Sequence, residues 1–527
     1  EVDVDGGVIR ATLHLTPPEA GLGRTRRALA SLELLPPPLQ PESSTDTLTV
    51  KVEGKSCSTE ITSQHFFIAY SGCALERSLV EELALMLEDQ RTKLEDLGFS
   101  FSGAPDPLYV SLEKFDGSAS RAGQFNPSKR GAGYGTLSFN RYYFLTAPWS
   151  EAERADLQAT AGHELFHFVQ FIYDPRWAYT KAVSPGPTLW LDEAASTWFE
   201  PLALDDPDFL PPNAAANNNF VYTPLYHTAV EQATGQGYGA SLFLRYLTDK
   251  YGENLITEIY DKLRAGVYSK TGAEAFDKGL DARDSSVGLE WVPFLETYFV
   301  RPGEIVPGLG GPDVAKWAAL HATATSDGAD YEVSFDVSSS FAGQQPQVSP
   351  GLLAAGPDAT VSIEFTLGDL SADAFRLIFD TKKGDTLKAL AAPGQVRITV
   401  DAPEWSGVLV YGLPRDGGAA VPLAGAPWGF LSSDDSASEP GSQLVVSGLS
   451  HANGQGQYKG LLLIPFNYRG VSYTRPDSAT VSVTLAYLAA APVPTPTPEP
   501  VPGCDCANLA PGLAGLECRL QCEAIPP

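Results

Sequence analysis

The sequence has little positive charge and no long hydrophobic run. Its 36 Lys and Arg residues stand against 64 Asp and Glu residues, which gives a formal net charge of −28 at pH 7. A surface of that sign is repelled by a phosphate backbone, which argues against nucleic-acid binding. A membrane-spanning helix needs about 18 apolar residues in a row, and the sequence contains no such run. The surplus carboxylates suit solubility, and no segment matches a calcium-binding loop, so Ca²⁺ stays possible without a motif to support it.

Cysteine and methionine are also scarce. The chain has one Met and six Cys, and the cysteines form two groups: Cys57 and Cys73, then four from Cys504 to Cys522. An even number outside the central region favours disulfides in an oxidising compartment over a bound zinc. The chain starts at Glu1 instead of Met, which suggests that a leader was removed. We therefore expect a secreted or cell-surface protein.

Composition changes along the 527 residues predict several domains. Residues 1–55 contain a proline-rich stretch and form an N-terminal extension or a pro-segment. Residues 56–320 mix strand and helix patterns and predict an α+β domain. Eight short alternating segments within 325–490 predict an all-β sandwich. Residues 491–503 are a Pro/Thr linker, and residues 504–527 form a short Cys-containing tail.

Within the α+β domain, periodicity and caps predict the individual elements. Strand patterns occupy 65–70 and 107–115, and the segment 133–145 is β-rich. Helices are predicted at 75–99, at 152–173 after a capping box at Ser150, at 189–202, and at 239–252.

Two of the seven histidines lie in the stretch GHELFHFVQF at residues 162–171. Residues four apart on a helix point the same way, so His163 and His167 can reach one metal ion. Glu164 lies between them, where its carboxylate can take a proton from a water on that ion. The alternative is that these are ordinary polar residues on an amphipathic helix. This alternative is weakened because the helix is apolar nearly all round and is therefore expected to be buried. In a buried helix the His and Glu side chains need partners, and a metal ion would supply one.

A catalytic zinc site needs a third protein ligand and an open position for water. A third histidine one turn further is excluded, because position 173 is Tyr. Asp174 is conceivable, although Pro175 ends the helix there. The remaining candidate is Glu193, 26 residues beyond His167 in the stretch WLDEAASTW.

Together, HELFH and WLDEAASTW resemble the signature of the gluzincin metallopeptidases, which include thermolysin and the zinc aminopeptidases. The resemblance covers about residues 60–260 and is nearest to predicted secreted bacterial metalloproteases. It implies one Zn²⁺ held by His163, His167 and Glu193, with Glu164 as the general base. It also implies a mixed sheet with an edge strand beside the active-site helices, followed by a helical subdomain.

The same resemblance nominates a group to stabilise the oxyanion, either Tyr238 or His227. The alternative for Tyr238 is an ordinary packed aromatic residue at the start of a helix. Thermolysin-like enzymes carry an aspartate four residues after the ligand glutamate, but Thr197 stands there in this chain. The sequence therefore leaves open which group orients the ligand histidines.

The amino-terminal anchor of the aminopeptidases is missing from the strand GYGTLSFNRYYF. Ser138 and Phe139 stand where a Met-Glu pair would be expected, followed by Asn140. Such a strand suits pairing with an extended peptide as an edge strand. We therefore expect a secreted zinc metalloendopeptidase with a protein or peptide substrate. The alternatives are an aminopeptidase of the same clan and an inactive metallopeptidase-like adhesion protein, which would contact a cell surface or polysaccharide through the sandwich and tail.

Overall fold

The computed structural model of the protein describes most of the central chain and the core strands of the C-terminal part. The described residues are 2–4, 7–9, 58–71, 74–115, 122–127, 135–145, 147–174, 188–225, 230–266, 271–310, 318–327, 330–337, 347–349, 360–380, 394–403, 405–423, 430–431, 442–449, 457–469 and 478–488. The six cysteines, the predicted linker and the predicted tail lie outside them, as does most of the N-terminal extension.

The protein combines α-helices with two β-sheets and a short hairpin of β1 (Val2–Val4) and β2 (Gly7–Ile9). The first sheet contains β3 (Ser58–Thr62), β4 (Phe66–Ser71), β5 (Leu108–Glu113), β6 (Gly123–Asn126) and β7 (Thr136–Asn140). Its strand order is β3-β4-β5-β7-β6. The three central strands are parallel, and the two outer strands pair antiparallel to them. The sheet is therefore mixed, with β6 at one edge.

Most of the helices follow this sheet in the chain. They are α1 (Arg77–Asp96), α2 (Glu151–Tyr173), α3 (Leu189–Leu204), α4 (Pro212–Ala216), α5 (Val230–Tyr251), α6 (Asn254–Ala265), α7 (Gly272–Leu280) and α8 (Val287–Val300). Helix α2 starts at the predicted capping box: the Glu153 amide donates to Ser150 Oγ at 3.2 Å, and the Ser150 amide donates to Glu153 Oε2 at 2.8 Å. This cap fixes the residue at which α2 begins. None of the described helices is long and apolar enough to cross a bilayer.

Two predictions about these elements were wrong. The strand β7 lies inside the sheet, between β5 and β6, and not at its edge. All five of its residues are buried, and a strand buried on both faces carries no sign of its position in the sheet. Helix α5 begins at Val230, nine residues before the predicted start at 239. Its first turns contain three glycines, which sequence propensity counts against a helix.

The second sheet contains the strands β8–β20. These are Ala318–Asp327, Asp330–Val337, Gln347–Ser349, Thr360–Gly368, Ser371–Ala372, Phe375–Asp380, Gly394–Asp401, Ser406–Pro414, Val421–Pro422, Phe430–Leu431, Ser442–Leu449, Tyr458–Asn467 and Ser478–Leu488. All eight predicted segments are strands. The sequence reading missed β8, which pairs in parallel with β13, while most other pairs of this sheet are antiparallel.

The strands β15 and β19 are buried on both faces. Leu409 and Ile464 belong to the hydrophobic core that also contains residues of every helix from α1 to α8. Their neighbours Val408 and Leu463 belong to a second core, formed almost entirely by strand residues. Because successive side chains of a strand point to opposite faces, this pair of strands separates the two cores and packs against both.

Candidate metal centre

Helices α2 and α3 bring His163, His167 and Glu193 together in the buried interior. The three residues are 8%, 5% and 7% exposed. The two Nε2 atoms lie 3.1 Å apart, and Glu193 Oε2 lies 3.7 Å from His163 Nε2 and 3.5 Å from His167 Nε2. Two atoms bound tetrahedrally to Zn²⁺ at its usual distances lie about 3.3 Å apart. The three atoms therefore form a triangle of the size that one zinc ion needs, and this group could hold a metal ion.

A buried carboxylate sets the tautomer of His163. The ring donates from Nδ1 to Glu200 Oε1 at 2.9 Å. Glu200 lies seven residues after Glu193, two turns further along α3, so both carboxylates lie on the same face of the helix. With the proton on Nδ1, Nε2 presents a lone pair to the centre.

A side-chain amide does the same for His167. Nδ1 donates to Gln170 Oε1 at 2.7 Å. The orientation of the Gln170 amide follows from its own donors, since Nε2 donates to the Asp192 carbonyl at 2.8 Å and to Ser196 Oγ at 3.1 Å. Ser196 Oγ also lies 3.2 Å from His167 Nδ1. The Nε2 atom of His167 is therefore a second lone pair that faces the centre.

With these tautomers, three electron-rich atoms converge on one point. Two Nε2 lone pairs face each other, and among the described residues Glu193 Oε2 is buried without a hydrogen-bond donor. Such an arrangement is repulsive unless a cation lies among the three atoms. The donor set, two imidazoles and one carboxylate, is one that Zn²⁺ uses in catalytic sites. The residues present thus fit a zinc ion.

The electrostatics of the pocket also favour positive charge. Burial would lower the pKa of His163, but the carboxylates of Glu193 and Glu200 outweigh it and raise the pKa well above its ordinary value. Burial alone would raise the pKa of Glu193, but the two imidazoles hold that pKa well below its usual range. Burial raises the pKa of Glu200. A field that stabilises a positive charge here also stabilises a divalent cation.

Glu164 is held by the edge strand of the first sheet. The Phe125 amide on β6 donates to Glu164 Oε2 at 2.5 Å. This approach depends on Gly123, because a Cβ at that position would lie 2.7 Å from Thr160 Cγ2 and 3.1 Å from Glu164 Cγ. The sequence reading did not predict β6, although the glycine in AGQFN marks the close approach of a backbone.

Tyr238 lies beside the centre, on α5. Its ring centroid is 6.3 Å from that of His163, and the side chain is half-buried. The rival candidate, His227, lies outside the described residues. Of the two candidates for stabilising the oxyanion, Tyr238 is thus the one that the structure describes.

Asp192 anchors α3 from the side away from the metal ligands. Tyr260 donates its hydroxyl to Asp192 Oδ1 at 2.9 Å, and both residues are fully buried. Burial, with the neighbouring Asp174 carboxylate, raises the pKa of Asp192 well above its ordinary value. Asp174, the alternative third ligand, is buried at the end of α2 and is not part of the group that could hold a metal.

The sequence reading missed the residues that orient the histidines. The resemblance puts a carboxylate at position 197, which is Thr in this chain. In the structure Glu200 accepts the hydrogen bond of His163, and Gln170 and Ser196 contact Nδ1 of His167. The seven-residue spacing of Glu193 and Glu200 was the available signal, because it puts both on one helix face.

No family model matches this chain, and no curated protein matches its sequence. Among solved structures, a similar chain is an aminopeptidase N family protein from Idiomarina loihiensis, at 12% sequence identity and a TM-score of 0.32. The match covers 59% of this chain and spans 65% of the length of that protein. A score that low establishes neither a fold nor an activity.

Proposed function

We propose that the protein is a zinc-dependent metallopeptidase that cleaves peptide bonds within proteins or peptides. The observation that carries the proposal is the convergence of two imidazole lone pairs and a buried carboxylate oxygen in a zinc-sized triangle. The resemblance of HELFH and WLDEAASTW to the gluzincin signature supports the same metal and the same reaction.

The roles of the surrounding residues follow from their positions. A bound Zn²⁺ would supply a Lewis acid that polarises a peptide carbonyl and makes a water more acidic. Glu164, the residue next to His163, would accept the proton of the attacking water and deliver it to the leaving amine. Its hydrogen bond with the Phe125 amide engages Oε2, so Oε1 would be the oxygen that accepts the proton.

Tyr238 would donate its phenolic hydroxyl to the developing oxyanion. The 6.3 Å between the centroids of its ring and the His163 ring supports this role. His227 stays an alternative on the sequence alone.

An extended substrate would add to the edge strand β6. Its residues, Gly123–Asn126, contain no acid that could bind a free amino terminus. The Phe125 side chain turns away from the substrate edge and packs against Phe168 and Phe171 of α2. Main-chain pairing alone would then hold the peptide, which favours cleavage within a chain over removal of its first residue.

The decisive experiment combines zinc analysis with the variant Glu164→Gln. The wild type should contain one zinc per chain and hydrolyse casein, and a chelator should abolish the hydrolysis until zinc returns. Glu164→Gln should keep its zinc and its fold while the rate falls by about 10²–10⁴-fold. The matched control is Glu151→Gln, an exposed glutamate at the start of the same helix. Full activity in Glu164→Gln would refute the mechanism.

Zinc binding without hydrolysis of casein or short peptides would instead favour the inactive binding protein. Secretion is part of the proposal and rests on the cysteine pattern. It is tested by alkylating the purified protein with and without reductant: six fewer modified thiols in the unreduced sample indicate that all six cysteines form disulfides.

A further inference from the structure

Helix α5 carries Gly235, Gly237 and Gly239 in its first three turns. Each glycine inside a helix costs about 1 kcal/mol relative to alanine. Three within five residues therefore call for a reason in packing, and the three positions face different neighbours.

Gly237 faces the third metal ligand. A Cβ at this position would lie 2.6 Å from Glu193 Cβ and 2.6 Å from the Trp190 carbonyl oxygen. Neither atom can rotate away, since one is main chain and the other is fixed to it. Any side chain at position 237 would therefore push α5 away from α3.

The residues on either side of Gly237 tie this turn of α5 to the rest of the site. Tyr238 lies against His163, and the Gln236 side-chain amide donates to the carbonyls of Thr223 and Pro224. The contact between α5 and α3 thus sets two positions at once: that of Glu193 and that of the Tyr238 ring.

We propose that Gly237 is a positioning residue that holds Glu193 at the ligand distance and Tyr238 beside it. The inference rests on the proposed function, and it deepens that function by assigning the spacing of the metal centre to the seam between α3 and α5. Gly237 touches neither metal nor substrate, and it acts through the residues it lets approach.

The test is zinc affinity, measured by competition with a chromophoric chelator. Gly237→Ala should bind zinc about 10–100-fold more weakly than the wild type, the loss typical when a group supporting a metal ligand is disturbed. At saturating zinc, its kcat should fall more than its KM changes, because Tyr238 moves with the helix. Cobalt(II) substituted for zinc should show altered visible absorption bands, which report the ligand geometry.

Two glycines of the same helix serve as controls. A Cβ at Gly235 meets only the movable Asn217 side-chain oxygen, at 3.0 Å, so Gly235→Ala should keep the wild-type zinc affinity and raise the Tm slightly. A Cβ at Gly239 would overlap the main-chain oxygen of Asn217 instead of Glu193. Gly239→Ala should therefore lower the Tm without a comparable loss of zinc affinity.

If Gly237→Ala and the wild type bind zinc equally well, the inference is wrong and the proposed function stands. The same holds if Gly239→Ala loses as much zinc affinity as Gly237→Ala does. A wild type that binds no zinc overturns the proposed function, and the inference with it. If Gly237→Ala does not fold, Gln236→Ala loosens the same turn without a clash. A fall of at least about threefold in its zinc affinity supports the inference, and an unchanged affinity opposes it.

Discussion

At the residue scale, two hydrogen bonds from ring nitrogens orient the histidines of the candidate metal centre. Glu200 and Gln170 each accept a proton from Nδ1 of one histidine, and both Nε2 atoms are left to bind a metal. The acceptor of His163 is a carboxylate and the acceptor of His167 is an amide. Only His163 is therefore hydrogen-bonded to a side chain that can carry a negative charge. We therefore expect His163 to be the more basic ligand of the two.

The first prediction concerns Glu200. Glu200→Gln keeps an acceptor for His163 but removes the charge, and zinc affinity should fall by about tenfold; Glu200→Ala should lose about 100-fold. Chelator competition measures both. The control is Thr197→Val on the same helix, where the buried hydroxyl has no partner among the described residues. Its removal should not weaken zinc binding, and a loss in Thr197→Val like that in Glu200→Ala would contradict the assignment.

The ligand set of the proposed centre could be inferred from the sequence, but its supporting residues could not. His163 and His167 share a helix turn, and Glu193 lies in a recognisable second motif. Glu200 is one of many acidic residues, and its partner becomes visible only when α3 packs on α2. The seven-residue spacing shows only that Glu200 shares a helix face with Glu193, and its contact with His163 is a tertiary one.

At the element scale, the approach of β6 to α2 positions Glu164, the proposed general base. Gly123→Ala would insert a methyl group against Thr160 Cγ2, at 2.7 Å, and separate the strand from the helix. The bond from the Phe125 amide to Glu164 should weaken, and kcat should fall by about 10-fold while zinc binding is kept. Steady-state kinetics with zinc analysis would measure both effects.

The matched rescue for this prediction is Gly123→Ala combined with Thr160→Ala. Removing the threonine methyl group relieves the nearer contact, so the double variant should recover much of the lost kcat. A double variant no better than the single one would show that the strand does not act through its distance from α2.

Sequence patterns predicted the second sheet better than the first. Each of the eight predicted segments of the second sheet became a strand, because alternating apolar residues between Gly and Pro turns are distinctive. The four residues of β6 are too few to show alternation. The five residues of β7 alternate polar and apolar although all are buried, so its sequence does not show that it lies inside the sheet. The edge strand was consequently assigned to the wrong segment.

At the scale of the whole molecule, the second sheet packs on the helical part near a buried acid. Asp373 is 3% exposed and lies near Tyr222 and Pro224. Burial raises its pKa to about 7, although its Oδ1 accepts a hydrogen bond from the Ala374 amide. The ordinary pKa of an aspartate is about 3.9, so folding favours its protonated form.

The sign of the pH effect follows from linkage. Because the folded state binds this proton more tightly, the contribution of Asp373 to stability is full below about pH 4 and is lost as the pH rises towards 7. Asp373→Asn should therefore raise the free energy of unfolding at pH 8, by up to about 4 kcal/mol, and have little effect at pH 4. Urea unfolding of both proteins at the two pH values provides the measurement. A variant that is less stable than the wild type at pH 8 would contradict the prediction.

The placement of the three proposed ligands on the helices α2 and α3 has a consequence for the order of folding. His163, His167 and Glu193 lie within 31 residues of one another, whereas β11 and β20 pair Thr360 with Ala486. Contacts between near neighbours in the chain form faster than those that close a long loop. We therefore expect α2 and α3 to assemble the ligand set while the second sheet is still unpaired. A metal ion captured at that moment would act as a nucleus around which the rest of the chain completes its fold.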